Sequence, residues 1–128
     1  MKTINVGLLG LGTVGSGMVK VFQDHAELLD KRVGAKLRIK KIAVRRLPPR
    51  IPVDAKLLTL DAMEVVKDPQ IDIVVELIGG TTVAKTLCLE AIANGKHLGT
   101  AHKALLGEHG LGIYRAAADK PVELGVQA

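Results

Sequence analysis

Gly10, Gly12 and Gly15 follow directly on the apolar run Ile4-Asn5-Val6-Gly7-Leu8-Leu9. Behind them Val14, Met18, Val21 and Phe22 recur at helical spacing. A G-x-G-x-x-G hexapeptide between a buried strand and an amphipathic helix restricts the fold sharply. The first glycine permits a tight turn. The second lets backbone approach a pyrophosphate, and the third lets the helix pack close against the sheet. The free N–H groups and positive end of that helix suit a phosphate, so Gly10, Gly12, Thr13, Val14 and Gly15 are candidate dinucleotide contacts. The alternative is a glycine-rich turn that holds no ligand.

The rest of the chain alternates in the same way. The first helix is expected to run to about Leu29, with a turn at 30–34 and a second strand at 38–44. Pro48, Pro49 and Pro52 forbid regular structure next, and 57–60 suits a short edge strand. Asp61 is a plausible N-cap for a helix at 62–67. Residues 71–78, rich in β-branched side chains, read as a strand stopping at Gly79-Gly80. Thr81 or Thr82 can cap the next helix, whose apolar face reads Val83, Leu87 and Ala91 with Cys88 and Ile92 beside it, and Asn94-Gly95 ends it. A strand at 97–100, a helix at 104–119 and a strand at 122–126 complete the pattern. Strand–helix alternation implies an α/β, Rossmann-type, doubly wound and mostly parallel sheet in a single domain spanning 1–128. With 48% hydrophobic residues a core is available, and with only Phe22, Tyr114 and no Trp it must be aliphatic.

An NAD site usually carries Asp or Glu at the end of the second strand, for the ribose 2′-hydroxyl. Val44-Arg45-Arg46 stands there instead. Guanidinium pairs bidentately with phosphate oxygens, so Arg45 and Arg46 favour NADP, with NAD the alternative. These two belong to a basic segment. Residues 31–56 hold ten Lys or Arg and one acid, Asp54, for +9, while the remainder carries −4 of the total +5. The segment suits an anionic partner or a solvated face. It lacks the aromatic residues that stack bases, which excludes nucleic acid as partner.

Gly79 and Gly80 fall beside the expected switch point, where backbone passes close to a cofactor. Glu76, inside an apolar strand, is a paired structural carboxylate or a site acid. Cys88 reads as core, and as the sole cysteine it excludes an internal disulfide. The four histidines have no ligand pair, so no metal is assigned. With no signal-like or membrane-length apolar segment, a cytoplasmic location is expected.

Several segments match one family in order: Gly10-Leu11-Gly12-Thr13-Val14-Gly15-Ser16-Gly17, then 71–80 with Glu76-Leu77-Ile78-Gly79-Gly80, then Gly95-Lys96-His97, then Thr100-Ala101-His102-Lys103-Ala104-Leu105-Leu106 with Glu108-His109-Gly110. Together they resemble the N-terminal nucleotide-binding domain of homoserine dehydrogenase. That family interconverts L-aspartate 4-semialdehyde and L-homoserine with NADPH or NADH, a step toward threonine and methionine.

The resemblance implies that the glycine turn cradles the pyrophosphate and that Arg45 meets the adenosine ribose or its phosphate. It also implies that Gly79 and Gly80 line the nicotinamide side. Thr100 and Lys103 then approach the cofactor near the substrate, where Lys103 polarises the carbonyl or orients the amide. His102 stands where the family usually has Asn, and Gly107 and Gly112 replace better helix formers. The family's substrate domain follows the segment matched here and supplies the substrate-gripping acids, the principal lysine and most of a homodimer interface. The chain alone is therefore expected to bind cofactor and to turn over little. The alternatives are a stand-alone dinucleotide-binding or sensing module, or the Rossmann domain of another small-aldehyde or amino-acid dehydrogenase.

Overall fold

In the computed structural model, residues 2–47, 49, 52–78, 82–100 and 124–126 are described. The first apolar run forms β1 (Thr3–Leu9), and the glycine turn leads into α1 (Thr13–Asp24) and α2 (Ala26–Val33). β2 (Lys36–Ala43) follows, then a 3-10 turn at Ala55–Leu57, β3 (Leu58–Thr59) and α3 (Ala62–Lys67). β4 (Ile73–Glu76), α4 (Thr82–Ala93), β5 (His97–Thr100) and β6 (Leu124–Val126) complete the described elements. The strands lie in the order β3-β2-β1-β4-β5-β6, and every described pairing is parallel. The chain is thus a doubly wound α/β fold of Rossmann type. The order reverses between β1 and β4, which opens a crevice at the C-terminal ends of those strands.

Alternation along β1 divides the core. Val6 and Leu8 face one side, with Leu11, Val19 and Ile42. Leu9 faces the other, with Val65, Val66, Ile71, Ala91 and Ile92 from the α3–α4 side. The buried core residues on both faces are aliphatic apart from Cys88, as the composition requires. Gly7 also faces α3: a Cβ there would stand 2.5 Å from Val65 Cγ1 and 3.0 Å from Ile71 Cδ1.

Several boundaries differ from expectation. Helix continues to Val33, with a break at His25, and Gly34 ends it in the left-handed region at φ +77°. Asp30 is therefore helical and not part of a turn. Its carboxylate accepts hydrogen bonds from the Leu37 N–H and from Nη1 and Nη2 of Arg38, each at 3.0 Å, which draws the start of β2 back to Lys36. The strand at 71–78 keeps only Ile73–Glu76 in the ladder. Ile71 instead plugs the core, and Leu77 and Ile78 turn toward the crevice. On α4 the inner face is Ala84, Leu87, Cys88, Ala91 and Ile92; Val83 is exposed. The caps at Asp61 and Gly95 form as read. Residues 104–119 lie outside the described set.

The basic segment is not one patch. Register slips between Val6 and Gly7 where they meet β2 at Ile39 and Lys41, leaving Lys40 as an extra residue. Successive side chains of a regular strand point to opposite faces, but here Lys40 and Lys41 both reach Asp68, at 2.9 and 3.4 Å. Burial pushes the Asp68 pKa up, but hydrogen bonds from Lys40, the Gln70 N–H and Lys41 outweigh it and hold the group at about 2. The hydrogen-bonded Arg38 guanidinium likewise lowers Asp30, against the opposing effect of burial. Both carboxyls bind protons more weakly folded than unfolded. Their stabilisation is present above about pH 4 and is lost as pH falls through the folded pKa, which for Asp68 is about 2. Urea midpoints should stay level from about pH 7 to 5 and drop below about pH 4. Asp68→Asn should lower the neutral-pH midpoint and flatten that acid limb; an unchanged limb would contradict the assignment.

Candidate functional site

The crevice at the switch point is a cleft of about 820 Å³, lined from the ends of β1, β2, β3 and β4, the start of α3 and the first turns of α4. Gly10, Leu11 and Gly12 form its floor after β1. Gly10 has φ +105°, where a side chain is strained, and an added Cβ would meet the Leu77 carbonyl at 3.2 Å. The Gly10 N–H donates to the Ala43 carbonyl at 2.9 Å, and the Leu77 N–H donates to the Leu9 carbonyl at 2.8 Å. The turn is thus fastened to strands on both sides.

Gly15 and Gly12 differ in what they exclude. At Gly15 an added Cβ would stand 2.9 Å from the Gly10 carbonyl oxygen, so glycine lets α1 lie directly on the turn. At Gly12 an added Cβ meets nothing within 4 Å, so the space beside it is open. Gly12 is also the N-cap of α1; no side chain caps that end, and its first turn, which begins Thr13-Val14, carries no acid. Unsatisfied N–H groups facing open space at a helix N-terminus suit an anion.

Arg45 and Arg46 line the same cleft where the chain leaves β2. Both are exposed. Arg38, Lys40 and Lys41 are ion-paired, but neither Arg45 nor Arg46 makes an ion pair with a described residue. The described lining contains these two guanidinium groups and no carboxylate. Leu47, Leu60 and Val83 are left 56%, 63% and 62% exposed on the cleft walls. Sequence reading had not assigned these walls, because they come from three segments that only the fold brings together.

Glu76 and Thr100 end β4 and β5 and are fully or almost fully buried. One Glu76 oxygen accepts the Ile78 N–H at 2.6 Å, and the other accepts the Thr100 hydroxyl at 2.7 Å. Glu76 is therefore paired within the fold. Thr100 turns its hydroxyl to Glu76. Gly79, Gly80 and Lys103 lie outside the described residues.

Cys88 is fully buried on α4. Burial, then the nearby Glu76 charge, pushes its thiol up to about 12. At pH 8 only about one thiol in 10⁴ is then ionised, so the folded chain should leave Cys88 unlabelled by a disulfide reagent that labels it in urea. Rapid labelling without denaturant would contradict its place in the core. Among the described residues no group of three or more His, Cys, Asp or Glu side chains is arranged to hold a metal. No described helix is long and apolar enough to cross a membrane.

The strand order, the glycine turn against an open helix N-terminus and the cleft at the switch point define a Rossmann-type dinucleotide-binding domain. The family model described as the NAD binding domain of homoserine dehydrogenase matches residues 10–126. The chain belongs to that family, whose cofactor class is a nicotinamide dinucleotide. It is 44% identical over 128 residues to the homoserine dehydrogenase of Pseudomonas aeruginosa, covering 100% of this chain and 30% of that protein. It is 40% identical over 130 residues to the Bacillus subtilis enzyme, again covering 100% and 30%. The crystal structure of a homoserine dehydrogenase from Thiobacillus denitrificans matches with TM-score 0.89 and 45% identity, over 98% of this chain and 30% of that one. The S. aureus homoserine dehydrogenase at pH 6.5 matches with TM-score 0.90 and 35% identity, over 100% and 33%. The chain therefore spans about 30% of the length of these curated relatives.

Proposed function

We propose that this chain is the NADP(H)-binding domain of a homoserine dehydrogenase, a single unit over 1–128. The observation that carries the cofactor choice is the cleft lining: among the described residues, two arginines without ion pairs, and no carboxylate, at the end of β2. A carboxylate there would accept a ribose 2′-hydroxyl and repel a 2′-phosphate; paired guanidinium groups do the opposite.

The residues present fit a dinucleotide. Gly10, Gly12, Thr13, Val14 and Gly15 would hold the pyrophosphate through backbone N–H groups, since the Gly12 side is open. Arg45 and Arg46 would hold the 2′-phosphate, and Leu60 and Val83 would flank the adenine. Gly79, Gly80, Thr100 and Lys103 are assigned to the nicotinamide side from their sequence match. When bound, the cofactor supplies the hydride that reduces an aldehyde to an alcohol. We assign L-aspartate 4-semialdehyde and L-homoserine as the substrate pair of the whole enzyme. Lys103 would polarise the carbonyl or orient the amide. Substrate grip and subunit contacts are assigned to the part of the relatives that this chain does not span.

The test is NADPH oxidation with L-aspartate 4-semialdehyde by the 128-residue chain, run beside a fluorescence titration with NADPH. The expected result is saturable binding without measurable turnover. Robust turnover by this chain would overturn the division of labour, and absence of binding would overturn the site.

A further inference from the structure

A buried carboxylate is costly unless its oxygens are hydrogen-bonded. Glu76 meets that condition with the Ile78 N–H on one oxygen and the Thr100 hydroxyl on the other. Burial alone does not call for an acid at this place. Val74, two residues earlier on β4, is equally buried and fills its site with an aliphatic side chain. What Glu76 adds is a link between three points. It is itself the last residue of β4, Thr100 is its register partner at the end of β5, and Ile78 lines the cleft where the chain leaves β4.

The link has a direction. In a doubly wound sheet the two halves of a dinucleotide lie on either side of the switch point. Arg45 and Arg46 mark the β1–β2 side as the adenosine half. The exits of β4 and β5 then belong to the nicotinamide half. We infer that Glu76 is a positioning residue for that half. Through the Ile78 N–H and the Thr100 hydroxyl it holds the β4 exit and the β5 end in the arrangement that receives the nicotinamide riboside. Glu76 acts through its hydrogen-bonded partners, the Ile78 N–H and the Thr100 hydroxyl among them, and not by contact with the cofactor. This role rests on the dinucleotide reading of the cleft given above.

The experiment compares two ligands: NADPH, and adenosine 2′,5′-bisphosphate, which carries the adenosine half alone. Affinities are measured for the unmodified chain, Glu76→Leu, Glu76→Gln, Thr100→Val and Thr100→Ser. Glu76→Leu and Thr100→Val should weaken NADPH about tenfold while changing adenosine 2′,5′-bisphosphate less than about twofold. Glu76→Gln keeps an acceptor for the Ile78 N–H and presents its amide to the Thr100 oxygen, so it should recover most of the loss. Thr100→Ser keeps the hydroxyl for Glu76 and should recover most of the loss seen with Thr100→Val. A purely structural role predicts equal weakening of both ligands, and an idle carboxylate predicts no change in either; both results overturn the inference. If Glu76→Leu does not fold, Glu76→Ala, which removes the same acceptor without added bulk, decides by the same criterion. An unmodified chain that binds neither ligand overturns the cleft reading itself, and this role with it.

Discussion

Replacing Arg45 and Arg46 together with alanine is expected to weaken NADPH binding by about 10- to 100-fold and to leave NADH within about threefold. The two cofactors differ only in the 2′-phosphate. Both arginines line the cleft and are exposed, and neither is spent on an ion pair with a described residue. Their removal therefore breaks no ion pair among the described residues. Charge-assisted bidentate hydrogen bonds to phosphate are among the stronger polar contacts, so losing two guanidinium groups costs affinity well beyond a neutral hydrogen bond. Salt gives an independent check. NADPH affinity of the unmodified chain should fall more steeply with ionic strength than that of the double variant. If the variant loses NADPH and NADH affinity alike, the arginines do not read the 2′-phosphate.

Gly7→Val is expected to destabilise the fold by about 2–4 kcal/mol, seen as a lower urea midpoint. Local propensity argues the other way, since valine favours strands and glycine weakens them. Packing decides the sign. The new Cβ alone would lie 2.5 Å from Val65 Cγ1 and 3.0 Å from Ile71 Cδ1, both on side chains that are themselves buried. Valine adds two further methyls into the same space, so α3 must move off β1. Gly7→Ala should cost less, and pairing it with Val65→Ala should return part of the loss, because the obstructing methyl goes. A Gly7→Val chain as stable as the parent would mean that α3 does not pack on β1 at this point.

The parts of the fold that were legible beforehand rest on local chemistry. The glycine turn, the Asp61 cap and the β-branched run around Val74 and Val75 each carry their reason within a few residues, and each formed. The helix at 14–29 was misjudged because Asp30 and Gly34 resemble a turn from inside the sequence. Only the Arg38 partner across the loop shows why Asp30 stays helical. Spacing puts Val83 on the apolar face of α4 with Leu87 and Ala91, yet in the fold Ala84 takes the inward place and Val83 stands on the cleft wall. Of the candidate site residues, Gly10, Gly12, Arg45 and Arg46 line one cleft, and Gly15 packs against the Gly10 carbonyl. The apolar walls were not legible because Leu47, Leu60 and Val83 come from separate segments, and the Glu76–Thr100 pair because its residues, 24 apart, meet only once β4 and β5 are in register.

The central claim is that the cleft at the ends of β1, β2 and β4 receives a nicotinamide dinucleotide bearing a 2′-phosphate. Isothermal titration of the unmodified chain with NADPH and with NADH, side by side at one ionic strength, tests it most directly. The account predicts one saturable site per chain, with NADPH the tighter ligand. Absence of saturable binding by either cofactor would contradict the site, and tighter binding of NADH would contradict the role given to Arg45 and Arg46.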